Sequence, residues 1–293
     1  MLNGSRLEFS RLRAIRRLMM AERRLEDEPA TSARVLCIAS GKGGTGKSIL
    51  ASNLAILRAA RDERVCLIDF DAGLANAHLL LGVTPRYDLG HVLNGEVSAM
   101  DALVEGPSGI QLLSGGVGRH ALANPTRREL DRLFKALKPL ESHFDLVLID
   151  HGAGMTYSTV AHLAATSTLL MVTNPEVTAL SDAYALYKRA HTVNPHVRVG
   201  VVINRAPDEE MALAAWDRFK GAAQRFLSET PQYVGWVPYD EAVIRSVQVR
   251  QPVTLLDPES RAAQAMFEIA NWDPIETART QSSFYDRARR ALR

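Results

Sequence analysis

Residues 40–48 read SGKGGTGKS and follow directly on the apolar run VLCIAS of residues 35–40. A strand that delivers the chain into a glycine-rich turn, with a helix-forming stretch behind it, satisfies G-x-x-x-x-G-K-[ST] in the context that pattern requires. Gly41, Gly43, Gly44 and Gly46 let successive backbone N–H groups converge on phosphate oxygens, and the following helix N-terminus adds partial positive charge. Thr45 lies within the same loop. Lys47 is the residue expected to neutralise β- and γ-phosphate charge, and the Ser48 hydroxyl is the expected ligand to Mg²⁺.

This loop fixes the class of sheet around it. Apolar runs recur as VCLIDF, IQLLS, LVLID, TLLMVTN, VGVVIN and YVGWVP, separated by helical stretches over residues 47–60, 127–142, 178–192 and 208–228. Runs that are apolar almost throughout, rather than alternating, are expected of parallel strands covered on both faces. Alternating β and α segments therefore predict an α/β, doubly wound, mostly parallel sheet with helices on both sides. A further helix is expected over residues 258–270. A hydrophobic fraction of 46% and a charged fraction of 23% supply an ordinary soluble core for such a domain.

Several residues at strand ends carry candidate chemistry. In residues 68–76, IDFDAGLAN, Asp69 and Asp71 stand where a strand's C-terminal end faces the ligand crevice. On residue chemistry alone either one could instead cap the next helix. The run LVLID places Asp150 after four apolar residues, the pattern of a carboxylate holding the Mg²⁺ shell. His151, Gly152, Ala153 and Gly154 follow; the glycines give a loop freedom to track a phosphate, and His151 is expected to be an uninvolved surface residue.

Lys42 is a second lysine inside the loop, one that the general phosphate-binding pattern does not require. K-G-G-x-G-K-S resembles the deviant Walker A sequence of the MinD/ParA family of P-loop ATPases. D-x-D-x-G-L-x-N at residues 69–76 resembles that family as well, and the similarity runs over about residues 35–270. It implies ATP as the nucleotide, Mg²⁺ as the metal, and a homodimer in the ATP-bound state in which Lys42 reaches the nucleotide of the other subunit. It implies that Asp71 is the switch I carboxylate near Mg²⁺ and the attacking water, that Asn76 positions the water, and that Ser48, Asp71 and Asp150 serve the metal. Asn204, beside Arg205, is expected to meet adenine, with Pro238 and Asp240 along the base edge, although Pro-Tyr-Asp is also a plain turn sequence. Ile49 departs from many P-loops, which have a second hydroxyl there for the α-phosphate.

The run GLANAHLLLG at residues 73–82 and the later Asn204-Arg205-Ala206 are most similar to the FlhG (FleN, YlxH) subfamily that regulates flagellar number and placement, with MinD next. That resemblance implies a flagellar GTPase, a flagellar switch protein or a transcription activator as partner. The subfamily's D-Q-A-x-x-L-R element is not found between Met1 and Arg34. Competing readings are a MinD-like division-site regulator, a ParA-like ATPase on nonspecific DNA, and a nucleotide-binding scaffold with little hydrolysis. A net charge of +2 leaves any DNA or lipid contact to a local patch.

The ends differ from the middle. Residues 1–33 form a basic extension and linker in which Leu12, Ile15 and Met19 recur at helical spacing among Arg11, Arg13, Arg16 and Arg17. Residues 34–272 form the ATPase domain. Residues 273–293 are read as a basic tail outside the core, with Phe284, Tyr285, Ala288 and Leu292 on one side of an amphipathic helix that would touch a membrane peripherally. No run reaches the ~20 apolar residues needed to span a bilayer, so the expected location is cytoplasmic. Cys37 and Cys66 sit within strand runs and are expected to be buried thiols, which argues against a cluster-binding reductase.

Overall fold

The computed structural model describes residues 33–71, 75–116, 125–226, 230–272 and 283–293. The N-terminal amphipathic pattern and residues 72–74 lie outside this set. Eight strands form one sheet: β1 (Arg34–Ala39), β2 (Val65–Phe70), β3 (Val104–Glu105), β4 (Gln111–Leu113), β5 (Leu146–His151), β6 (Thr168–Thr173), β7 (Arg198–Ala206) and β8 (Gln232–Pro238). Their order is β3-β4-β2-β5-β1-β6-β7-β8. Every pairing is parallel except that of the two-residue edge strand β3 with β4.

Continuous apolarity along the central strands hides an alternation of faces. Leu36, Ile38, Leu67 and Leu148 point to one side, where they pack with α1 (Lys47–Ala59) and α11 (Arg261–Ala270). Cys37, Ala39, Ile68, Phe70, Val147 and Ile149 point to the other, where they meet α4 (Arg127–Leu137), α6 (Tyr157–Ala165), α7 (Val177–Val193) and α8 (Glu209–Phe226). Both faces are covered, so both sets must be apolar. The remaining helices are α2 (Ala77–Leu80), α3 (Leu89–Asn94), α5 (Leu140–His143), α9 (Glu241–Gln248), α10 (Val253–Leu256) and α12 (Phe284–Arg290). The single helix expected over residues 127–142 is two, because α4 ends at Leu137 and Pro139 caps the start of α5. Both cysteines are free and buried, and burial pushes the Cys37 thiol up to about 12.

The tail corrects the sequence reading. Phe284, Tyr285, Ala288 and Leu292, assigned to a membrane-facing side, are buried in the core instead. The buried Glu141 carboxylate accepts hydrogen bonds from Ser283 Oγ (2.7 Å), Phe284 N (2.9 Å) and Tyr285 N (2.9 Å), satisfying donors at the start of α12. Arg289 donates to Asp131 on α4 at 2.8 and 3.1 Å, and Arg287 donates to the Ala165 carbonyl at 2.9 Å. An apolar stripe flanked by arginines has the same pattern whether it meets lipid or its own domain, and here it meets the domain. Among the described residues no helix is long and apolar enough to cross a membrane.

Candidate functional site

The candidate site lies at the C-terminal ends of the central strands, where β1 and β2, β5, β6 and β7 release their loops. After β1, Ser40 Oγ donates to the Lys42 carbonyl at 2.9 Å and turns the chain back on itself. Gly46 then adopts φ +85°, a left-handed conformation in which an added Cβ would also collide with the Asn204 amide. Gly41 is fixed for a different reason: a Cβ there would run into the backbone of Asp182 on α7. The loop's shape thus depends on neighbours far away in sequence.

Lys47 is buried on the first turn of α1. Its ammonium lies 3.3 Å from Asp150 Oδ1 and 3.9 Å from Asp71 Oδ2, and donates to Ser48 Oγ at 3.3 Å. The three residues expected to serve Mg²⁺ are therefore gathered around the lysine expected to serve the phosphates. Asp150 is fully buried, with the Lys47 ammonium and the Ser48 hydroxyl as its neighbours. Burial raises its pKa, and the Lys47 charge opposes that shift. Among the described residues no three His, Cys, Asp or Glu side chains are placed to hold a metal by themselves. One hydroxyl and two carboxylates are nevertheless the hard oxygen donors that Mg²⁺ accepts when water and phosphate complete its shell, so the residues present fit the metal.

The two carboxylates of the β2 loop divide the roles that residue chemistry left open. Asp69 is the cap: it accepts from Asp71 N (3.1 Å), Asn76 N (3.0 Å) and Ala77 N (3.0 Å), gripping the segment before α2. Burial, and secondarily the Asp150 charge, push its carboxyl up to about 7 against those donors. Asp71 is left facing Lys47, and a Cβ on Gly152 would stand 3.2 Å from Asp71 Oδ1, so the loops after β2 and β5 touch here. Asn76 is exposed at the N-cap of α2, with no side-chain cap bond.

Lys42 does not share this burial. Its ammonium donates to Glu176 Oε2 at 3.1 Å and Thr178 Oγ1 at 3.2 Å, both at the start of α7 in the same chain. Asn204 is buried and donates to the Thr45 carbonyl at 2.6 Å, while Arg205, at φ +58°, donates to the Gly44 carbonyl at 3.4 Å. With its amide oriented to suit its neighbours, Asn174 also donates to Thr45, at 3.2 Å. The strand-end asparagines thus brace the loop. Pro238 ends β8, and Asp240 caps two helices at once, accepting from Ala242 N (2.8 Å) on α9 and Ala262 N (3.1 Å) on α11. Ile49 is half-buried on α1 and packs with the core face there.

His151 reverses its expected place. It is fully buried, and its ring centroid lies 5.0 Å from that of His162, in a cluster with Phe70, Phe134, Phe284 and Tyr285. Burial lowers its pKa to about 3 and lowers that of His162 as well, so both are neutral near pH 7. The alternation of β5 carries the signal for this: Asp150 points toward the loop, so the next side chain points into the opposite face.

Residues 36–253 match the CobQ/CobB/MinD/ParA nucleotide binding domain. The antiactivator FleN of Pseudomonas aeruginosa is 32% identical over 237 residues, which span 81% of this chain and 85% of FleN. The flagellum site-determining protein YlxH of Helicobacter pylori is 29% identical over 240 residues, covering 82% of this chain and 81% of YlxH. The septum site-determining protein MinD of Pyrococcus horikoshii, solved with Mg-ADP, superposes with a TM-score of 0.70 at 25% identity, over 85% of this chain and all of that one. The phosphate-binding loop, the carboxylates gathered at Lys47 and these likenesses together make the chain a member of the MinD/ParA family of nucleotide-binding proteins.

Proposed function

We propose that the chain is an ATP-dependent dimerising switch ATPase that regulates flagellar number or placement, in the manner of its FleN and YlxH relatives. The observation that carries this reading is the contrast between the two loop lysines. Lys47 is buried among Ser48, Asp71 and Asp150, whereas Lys42 stands on the rim with 41% of its side chain exposed, tied to the 62% exposed Glu176. A surface ion pair of that kind is worth ~0–1 kcal/mol. Lys42 is therefore cheaply freed to meet phosphate across a two-fold interface, where two facing cationic loops repel unless anionic charge lies between them.

Bound Mg²⁺ would supply charge neutralisation at the β- and γ-phosphates. Ser48, Asp71 and Asp150 would hold the metal's shell, Asp71 would also orient the attacking water, and Lys42 and Lys47 would stabilise the charge that develops on the transferring group. Asn76 stands at the end of the same loop to help place the water. Asn204 and Asn174 keep the Thr45 carbonyl turned inward, which holds the loop's N–H groups toward the phosphates. Hydrolysis would then reset the dimer, and a flagellar GTPase, switch protein or transcription activator is the partner that the subfamily resemblance implies.

The test is light scattering of the full chain with Mg-ADP and with Mg-ATP, alongside Asp71→Ala and Lys42→Ala. The expected outcome is an ATP-dependent dimer that Asp71→Ala prolongs and Lys42→Ala prevents. A chain that stays monomeric in all conditions would overturn the dimer mechanism and favour the scaffold reading.

A further inference from the structure

On the face opposite α1, the first two turns of α4 and the end of α12 border a hollow of about 790 Å³. Arg127, Arg128, Arg132, Arg289 and Arg293 line it. Its two acidic neighbours are already satisfied: Glu129 accepts from Thr126 N and Thr126 Oγ1, each at 2.7 Å, and Asp131 is taken by Arg289. The side chains of Arg127, Arg128, Arg132 and Arg293 make no hydrogen bond or close ion pair among the described residues, though the charges of Arg132 and Arg293 also bear on Glu129 and Asp131. Four guanidinium groups around one concavity form a local positive field on a chain whose net charge is only +2.

The hollow has an apolar rim. The Arg127 guanidinium lies over the Tyr157 ring, 5.8 Å from its centroid. Tyr157 is 65% exposed and Met155, two residues earlier, is 46% exposed. Arginine, tyrosine and methionine are the types enriched where proteins bind proteins, and guanidinium forks match carboxylates in pairs. A ligand recognised by phosphate alone would leave Tyr157 and Met155 without a role. A flat bilayer would meet the hollow's edges and not its floor.

We propose that this hollow docks an acidic segment of a partner protein. Its carboxylates pair with Arg127, Arg128, Arg132 and Arg293, and a neighbouring apolar side chain packs on Tyr157 and Met155. The site is separate from the nucleotide loop and does not depend on hydrolysis or dimerisation.

The experiment is fluorescence anisotropy with a fluorescein-labelled peptide of alternating Asp and Glu interrupted by two Phe, added to the full chain with and without Mg-ADP. Arg128→Glu/Arg132→Glu is expected to raise Kd at least tenfold and Tyr157→Ser at least threefold. Arg218→Glu/Arg225→Glu, an equal charge change on the exposed side of α8, is expected to leave Kd unchanged, and thermal melts confirm that each variant is folded. Binding that ignores Arg128→Glu/Arg132→Glu, or that Arg218→Glu/Arg225→Glu weakens equally, overturns the proposal. It is also overturned if tripolyphosphate, duplex DNA or phosphatidylglycerol vesicles bind as tightly as the peptide and Tyr157→Ser leaves the peptide's affinity unchanged, since the hollow would then be a general polyanion site.

Discussion

His151→Leu is expected to make the protein less sensitive to acid. In the folded state burial holds the imidazole neutral and lowers its pKa from 6.5 to about 3. Once unfolded, the same ring takes up a proton as pH falls below 6.5. The unfolded state therefore binds more protons throughout the window from 6.5 down to about 3, and stability is lost as pH falls through it. At pH 5 the term RT ln(1 + 10^1.5) is about 2 kcal/mol, against about 0.2 kcal/mol at pH 7. Asp69 and Asp150, whose folded pKa values are raised, work in the opposite direction, because their contribution is present at low pH and lost as pH rises. Comparing variant with wild type isolates the histidine. Urea unfolding at pH 7, 6 and 5 should show the wild type losing roughly 2 kcal/mol more than His151→Leu between pH 7 and pH 5. At pH 7 the variant should be equally stable or more so, since both ring nitrogens of His151 lack a partner. Parallel losses in the two proteins would refute the assignment of His151 as a buried neutral group.

Gly46→Ala should weaken ADP binding by more than about tenfold in a fluorescent-ADP titration, because the added methyl needs a left-handed backbone and the space of the Asn204 amide. Glu141→Ala should cost about 3 kcal/mol by leaving the donors of Ser283, Phe284 and Tyr285 unmatched, with hydrogen exchange rising first over residues 284–290. Asp69→Ala should lower stability by roughly 2–3 kcal/mol in a urea melt by orphaning three backbone N–H groups, whereas Asp71→Ala should slow ATP turnover without that loss.

The sheet was legible because its long strands are apolar runs, and a parallel sheet covered on both faces leaves that signature directly in sequence. The phosphate loop was legible for the same reason: its geometry needs glycines at fixed spacing. What could not be read was partnership between distant segments. Asp69 and Asp71 are the same residue type two positions apart, and only the N–H groups that reach Asp69 separate cap from site. His151 follows a site carboxylate, and sequence order alone does not say that β5 keeps its pleat one residue further. The α12 stripe is amphipathic by any measure, but Phe134 and His162, which it covers, are contributed by helices well over a hundred residues earlier in the chain.

That last arrangement bears on how the protein is made. α12 is synthesised after every element it packs against, so Phe134 on α4 and His162 on α6 lack that helix's cover until it has been made. During that interval a nascent chain presents aromatic surface that chaperones and neighbouring ribosome products can bind. Glu141, in the earlier-made half, offers the start of α12 acceptors for its first N–H groups when it docks.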